Sequence, residues 1–171
     1  MIRAHDEPTV LTLVVEGPAT MAESPAVSEA ASDALLRGAR SVRLDLRDCT
    51  TIDSTFSGTL LSLKRRLEGD GGSLTLVSPS ARVLDLLEKM GLEDFYRIEQ
   101  AEPLDDPGTE VPLMRPGPER LSGMIVDAHE QLARISGPAG DTFRTVVEEM
   151  RSEERPGSAP TAPSVRPMPA H

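Results

Sequence analysis

Between residues 41 and 67 the apolar residues of this chain change period. Ser41-Val42-Arg43-Leu44-Asp45-Leu46 alternates polar and apolar side chains, the two-residue repeat of a half-buried strand. From 54 onward Phe56, Leu60, Leu63 and Leu67 fall at i, i+4, i+7 and i+11, a single stripe of a helix. The strand, with its tail Arg47 to Thr51, hands over to the helix at Asp53-Ser54-Thr55. Each of the two elements buries one side only, so the helix has to fold back over a sheet.

The same reading extends in both directions. Val10 to Val15 is a β-branched and aliphatic strand, broken by Glu16-Gly17-Pro18. Pro25 to Arg37 carries Val27, Ala30, Ala31, Ala34 and Leu35 at helical spacing, with Gly38 placed as a helix-ending glycine. Lys64, Arg65 and Arg66 gather near the end of the 54–67 helix, where cations complement the negative helix end, and Gly69-Asp70-Gly71-Gly72 stops it. Leu74 to Val77 is a strand, Pro79 stands near the start of a helix with Val83, Leu84, Leu87 and Met90 on one stripe, and Phe95 to Ile98 is a last short strand. Strand and helix thus alternate from 9 to 98 with short connections, the order of an α/β domain.

Residues 101–118 hold five prolines and read as a linker. Beyond it Leu121, Met124, Ile125, Ala128, Leu132 and Ile135 repeat at helical spacing, and Phe143, Val146, Val147 and Met150 do so again after a Gly/Pro break. These predict a helical hairpin over 119–154, whose apolar stripes must dock on the α/β domain or on another subunit, because helices of this length are marginal alone in water. Prolines at 156, 160, 163, 167 and 169 among Ser, Ala and Thr predict a disordered tail over 155–171. The expected division is 1–100, 101–118, 119–154 and 155–171.

Charge and composition narrow the function classes. The net charge of -10 is shared evenly, with 11 basic against 16 acidic residues in 1–100 and 7 against 12 in 101–171. Neither part offers the basic footprint of a nucleic-acid binder, and three Phe, one Tyr and no Trp leave few rings for stacking on bases. Cys49 is the only cysteine, read as a buried small residue at a strand end; the usage suits a reducing compartment. The opening residues lack a secretion-signal pattern, and no apolar run approaches the roughly 18 residues that span a bilayer. A cytoplasmic protein with no membrane contact is expected.

Little points to catalysis or cofactors. No G-x-S-x-G elbow is present, Ser54 has no evident base in the sequence, and His5, His129 and His171 lie in a terminus, a helix flank and a tail. Three scattered His and one Cys have no metal-ligand spacing. Gly69 to Gly72 follows a helix instead of opening one, so it reads as a turn and not a phosphate cradle. Asp53-Ser54-Thr55 is open to two readings. Asp, Ser and Thr are favoured helix caps, and a hydroxyl at a positive helix end is also where a phosphate changes local charge most without dismantling a core.

Several marks in one order carry a resemblance: a strand ending in polar and acidic residues, Ile52-Asp53-Ser54-Thr55 opening a helix, the Gly71-Gly72 turn before Leu74 to Val77, and Ser78-Pro79 opening a helix that ends in Met90-Gly91-Leu92. Over roughly 9–98 the chain resembles the STAS domain of bacterial anti-sigma factor antagonists. The resemblance implies a small α/β fold, a mixed sheet with helices packed largely on one face. It also implies a non-enzymatic protein without cofactor. Its partner would be an anti-sigma factor that is also a serine kinase of the histidine-kinase-like ATPase fold, and binding would release a sigma factor. The phosphorylated hydroxyl maps to Ser54, with Thr55 as second choice, and the partner-binding surface to Asp53, Ser54, Thr55, Phe56, Ser57, Gly58 and Leu60. The chain departs from the family pattern at Phe56-Ser57, where Gly and an aliphatic residue are usual, so a ring is expected beside the switch. It departs again at Gly17-Pro18-Ala19-Thr20, where an acidic residue is common.

Two functions follow as expectations. The first is an anti-sigma factor antagonist inactivated by phosphorylation of Ser54. The alternative is a STAS scaffold or accessory subunit of a signalling assembly or transporter that is not phosphorylated. The hairpin, outside the resemblance, is expected to self-associate into a homodimer, to cover the sheet, or to recruit a second partner.

Overall fold

The computed structural model of the protein describes residues 1–153; the tail expected at 155–171 lies outside them. Strands β1 (Ile2–Asp6), β2 (Val10–Val15) and β3 (Gly17–Ala19) lead into α1 (Ser24–Leu36). Then come β4 (Ser41–Asp45), β5 (Cys49–Ile52), α2 (Ser54–Gly69), β6 (Ser73–Val77), α3 (Ala81–Lys89), β7 (Arg97–Glu99) and β8 (Thr109–Glu110). Helices α4 (Pro118–Ala133) and α5 (Pro138–Glu153) complete the described chain.

The main sheet runs β7-β6-β4-β2-β1-β8. Strands β2, β4, β6 and β7 are parallel to one another, whereas β1 is antiparallel to both β2 and β8, so the sheet is mixed. Alternation decides which face is covered. Leu11, Leu13 and Val15 of β2 and Val42 and Leu44 of β4 are buried in the same core as Ala26, Val27, Ala31 and Ala34 of α1 and Phe56, Leu60, Leu63 and Leu67 of α2. The intervening Thr12, Val14 and Arg43 are only half-buried, and Arg43 pairs with Glu99 at 2.6 Å on that open side. The helices therefore lie over one face, as the resemblance implies.

Four strands depart from the sequence reading. Ile2–Asp6, Gly17–Ala19 and Thr109–Glu110 lack a periodic apolar pattern and are strands through their partners: Ile2 through Asp6 pair residue by residue with Val15 through Leu11, and Gly17–Ala19 pairs in parallel with Cys49–Ile52. Cys49–Ile52, expected as the tail of the preceding strand, is the separate strand β5. The proline-rich segment 101–118 is accordingly not linker throughout. Ala4 pairs with Thr109 and Arg3 with Glu110, and the Val111 amide donates to the Ile2 carbonyl at 2.9 Å. Phe95 and Tyr96, expected in the last strand, precede it; β7 starts at Arg97.

Gly38 follows α1 with φ +109°, a left-handed conformation that returns the chain toward β4. The C-terminal helices form a hairpin, and its docking target is α2 of the same chain. Ala128, His129 and Leu132 of α4, Ile135 beyond it and Val147 of α5 are buried.

Candidate functional site

The site grows from the hand-over between β5 and α2. Ile52 ends the strand buried, and Asp53 stays extended, with φ -113° and ψ 175°, as the N-cap of α2. One Asp53 carboxylate oxygen, Oδ1, accepts the Phe56 amide at 2.8 Å. The other, Oδ2, accepts the Met21 amide at 2.8 Å. The Asp53 amide donates to the Ala19 carbonyl at 3.3 Å, while the Asp53 carbonyl receives the Ser57 hydroxyl at 2.8 Å. Asp53 thus stitches the end of β3 to the first turn of α2. The capping role that Asp53, Ser54 and Thr55 could each have filled belongs to Asp53.

Ser54 is left at the first helical position with a hydroxyl that does not cap. Its side chain is half-buried, and Oγ stands 3.0 Å from Nε2 of His129 on α4. His129 Nδ1 lies 2.8 Å from the Ile125 carbonyl. A carbonyl only accepts, so Nδ1 carries the hydrogen, and in the neutral ring Nε2 accepts from the Ser54 hydroxyl. His129 is therefore not on the flank of its helix but buried, with its ring centroid 6.2 Å from that of Phe143 on α5. Hydroxyl, imidazole and carbonyl follow the order nucleophile, base and orienting group. The cavity of about 140 Å³ beside them, between α1, α2 and α4, is lined by residues such as Ser28, Thr59, Ser62 and Asp127 and by neither Ser54 nor His129. Among the described residues no group of three or more His, Cys, Asp or Glu is placed to hold a metal.

The other expected site residues lie deeper. Thr55 is buried, and its carbonyl accepts from Thr59 Oγ1 at 2.9 Å. Phe56 corrects the expectation of a ring beside the switch: it is 0% exposed, on the stripe that faces the sheet, so it alters no surface there. Ser57 is buried and its carbonyl accepts the Tyr96 hydroxyl at 3.1 Å; Leu60 is in the core. Gly58 is where α4 crosses, since a Cβ added there would stand 2.2 Å from the Ala128 carbonyl oxygen. Of the seven residues from Asp53 to Leu60 expected at a partner surface, Asp53 and Ser54 alone keep appreciable exposure. Where an acidic residue was looked for after the first strand, Glu23 is close in sequence, but its Oε2 is engaged by the Thr20 amide and hydroxyl at 2.9 and 2.8 Å.

Two basic residues read as complements of the helix end do other work. Arg66 donates to Ser32 Oγ on α1 at 3.0 Å, and Arg65 donates to the Gln131 carbonyl on α4 at 3.2 Å. Burial lowers the Arg65 guanidinium from its ordinary value, and the charge of Arg134 lowers it further. His129 is the functional candidate that the sequence reading passed over. The signal that points to it is a second stripe on α2: Ser54, Gly58, Leu61 and Arg65 also fall at i, i+4, i+7 and i+11. A mid-helix glycine on that stripe, costing about 1 kcal/mol against alanine, marks a face pressed against another backbone.

Comparison with known proteins agrees with this architecture. Residues 2–100 match the family model described as "Mlab, STAS domain". No curated protein matches the chain. The anti-sigma factor antagonist SpoIIAA in its unphosphorylated form superposes with a TM-score of 0.53 at 18% identity, over 60% of this chain and 89% of that one. The Bacillus cell fate determinant SpoIIAA in the phosphorylated form gives 0.50 at 16% identity, over 60% and 92%. TM1081 from Thermotoga maritima gives 0.53 at 22% identity, over 59% and 86%. At such identities the likeness is one of fold. The family match ends at residue 100, ahead of α4 and α5, and no helix among the described residues is long and apolar enough to cross a membrane. With residues 2–100 matched and the mixed α/β architecture in agreement, the chain belongs to the STAS domain family and carries a C-terminal helical hairpin beyond the matched residues.

Proposed function

We propose that the protein is a non-enzymatic interaction switch of the anti-sigma factor antagonist type. It binds an anti-sigma factor that is also a serine kinase of the histidine-kinase-like ATPase fold, and so acts on transcription indirectly. Phosphorylation of Ser54 ends the interaction. One observation carries the reading: Asp53 supplies the helix cap, so the Ser54 hydroxyl stands at the positive end of α2 without a structural duty in that helix. SpoIIAA, a protein of similar fold, has been solved in both unphosphorylated and phosphorylated forms, which supports the same reading.

A phosphate on Ser54 adds about -1.5 to -2 charge beside the Asp53 carboxylate and replaces a hydroxyl donor by acceptor oxygens. Moving a complex from 99:1 to 1:99 takes about 5.5 kcal/mol of differential affinity, so charge repulsion and lost hydrogen bonds must act together. Capture of the kinase from native lysate by full-length wild type, Ser54→Ala and Ser54→Asp tests this. Wild type and Ser54→Ala are expected to retain it and Ser54→Asp to lose it; equal capture by all three overturns the proposal.

A second reading, an unphosphorylated STAS scaffold or accessory subunit of a signalling assembly or transporter, is favoured by the contact that covers Ser54 with His129. It expects no phosphate on Ser54 in protein purified from native cells, and a mono-phosphorylated fraction there counts against it.

A further inference from the structure

Helix α2 is held on two sides. Its inner stripe, Phe56, Leu60, Leu63 and Leu67, belongs to the core under the sheet. Its outer stripe, Ser54, Gly58, Leu61 and Arg65, repeats the same spacing one face round, and three of its four residues meet α4. The backbones touch at Gly58 and Ala128, with Ser54 and His129 joined at one end and Arg65 and Gln131 at the other.

The seam with α2 is the main contact of α4, and Leu132 and Ile135 at its far end join the core. The helix itself nevertheless buries few side chains, Ala128, His129 and Leu132, and leaves a cavity of about 140 Å³, lined by Ser28, Ser32, Ser62, Arg66 and Asp127, between it and α1. Arg65 lies close enough to Arg134 for the like charges to act on each other. The tether is long. The last backbone hydrogen bond from the connecting segment to the sheet is that of Val111 to Ile2, and the six residues 112–117 that follow can span at most roughly 20 Å with β8 still in place.

From these contacts we infer that the α4–α5 hairpin is a displaceable cover, docked in cis on the Ser54-Gly58-Leu61-Arg65 face of α2. A protein that reads this face does so only after the hairpin has swung away, by laying down a helix with a small residue against Gly58 and a hydrogen-bonding group at Ser54, in place of Ala128 and His129. A phosphoryl donor meets the same barrier, because the Ser54 oxygen is engaged by His129 in the closed form. The apparent affinity of any such partner is then reduced by the fraction of molecules that are open. The cover itself is independent of what the partner is; its bearing on phosphorylation rests on the reading of Ser54 as the switch.

Hydrogen exchange of the full-length chain, without partner, tests the cover. Amides of α4 and α5 are expected to exchange together and at least about tenfold faster than those of β2, β4 and β6, as a separate opening unit does. Gly58→Ala places a methyl against the Ala128 backbone while improving α2 as a helix, so it is expected to speed exchange of α4 and α5 by a further order of magnitude or so and leave the strands unchanged. His129→Ala, which removes the latch without adding bulk, is expected to act in the same direction. The inference is overturned if α4 and α5 are as protected as the central strands, or if both variants speed exchange uniformly along the chain. If the hairpin opens as expected but His129→Ala, which leaves the α2 face unaltered, captures no more kinase than wild type, the cover stands and the anti-sigma reading of Ser54 falls.

Discussion

Replacing Asp53 by alanine separates the residue that builds the α2 N-terminus from the residue proposed as the switch. The Asp53 carboxylate accepts two backbone N–H groups, from Phe56 and from Met21, both at 2.8 Å. Loss of an N-cap side chain costs about 0.5–2 kcal/mol. The Met21 bond is exposed, and its loss adds roughly 0.5–1.5 kcal/mol. Asp53→Ala is therefore expected to cost about 1–3.5 kcal/mol, a fall in Tm of roughly 2–14 °C for a chain of this size. Asp53→Asn keeps one oxygen for the Phe56 amide but turns an NH2 donor toward the Met21 amide, so it is expected to recover the cap contribution and not the Met21 bond. Ser54→Ala removes one side-chain bond and is expected to cost about 0.5–1.5 kcal/mol. Urea unfolding followed by far-UV circular dichroism measures all three, provided the m-value is unchanged. Asp53→Ala within about 0.5 kcal/mol of wild type, or Ser54→Ala costing more than Asp53→Ala, would refute the division of roles between the two residues.

Phe56→Ala removes a fully buried ring and is expected to destabilise by about 3–5 kcal/mol in the same assay; a loss below about 1 kcal/mol would place the ring outside the core. Tyr96, the one tyrosine, has its phenol pushed up by burial while its hydroxyl donates to Ser57. The unfolded chain therefore releases this proton first, and stability falls as pH rises above about 10. In an absorbance titration tyrosinate should appear together with unfolding, and its appearance near pH 10 in the intact fold would contradict the burial. Burial also raises the Cys49 thiol, so a thiol reagent should label the native chain far more slowly than the urea-unfolded one; equal rates would show the strand end to be open.

The fold was largely legible where one element carries its own period. Val10 to Val15 coincides with β2, and Ser41 to Leu46 and the helix from 54 lie within a residue or two of β4 and of the start of α2, because apolar alternation and the stripe reflect burial on one side. Ile2–Asp6 and Thr109–Glu110 were not legible, since these segments become strands through pairing partners far along the chain. At the site, local chemistry could not say which of Asp53, Ser54 and Thr55 caps α2; the extended backbone at Asp53 and its bond to the Phe56 amide decide it. Phe56 was read on the stripe it shares with Leu60, Leu63 and Leu67, and that stripe was right; the ring expected beside the switch came from its place next to Ser54-Thr55 in the resemblance, which the stripe overrides. His129 was passed over because its partner lies 75 residues away, and only the docking of α4 on α2 brings them together.

The central claim is that Ser54 is a phosphorylated switch residue on the outer face of α2. Intact-mass analysis of the full-length protein isolated from its native cells, with fragmentation to locate the modified residue, tests it most directly. The account predicts a fraction carrying a single phosphate, placed on Ser54 and absent from Ser54→Ala. A chain that stays unmodified under all growth conditions, or whose phosphate sits on Thr55 or elsewhere while Ser54 remains free, would contradict it.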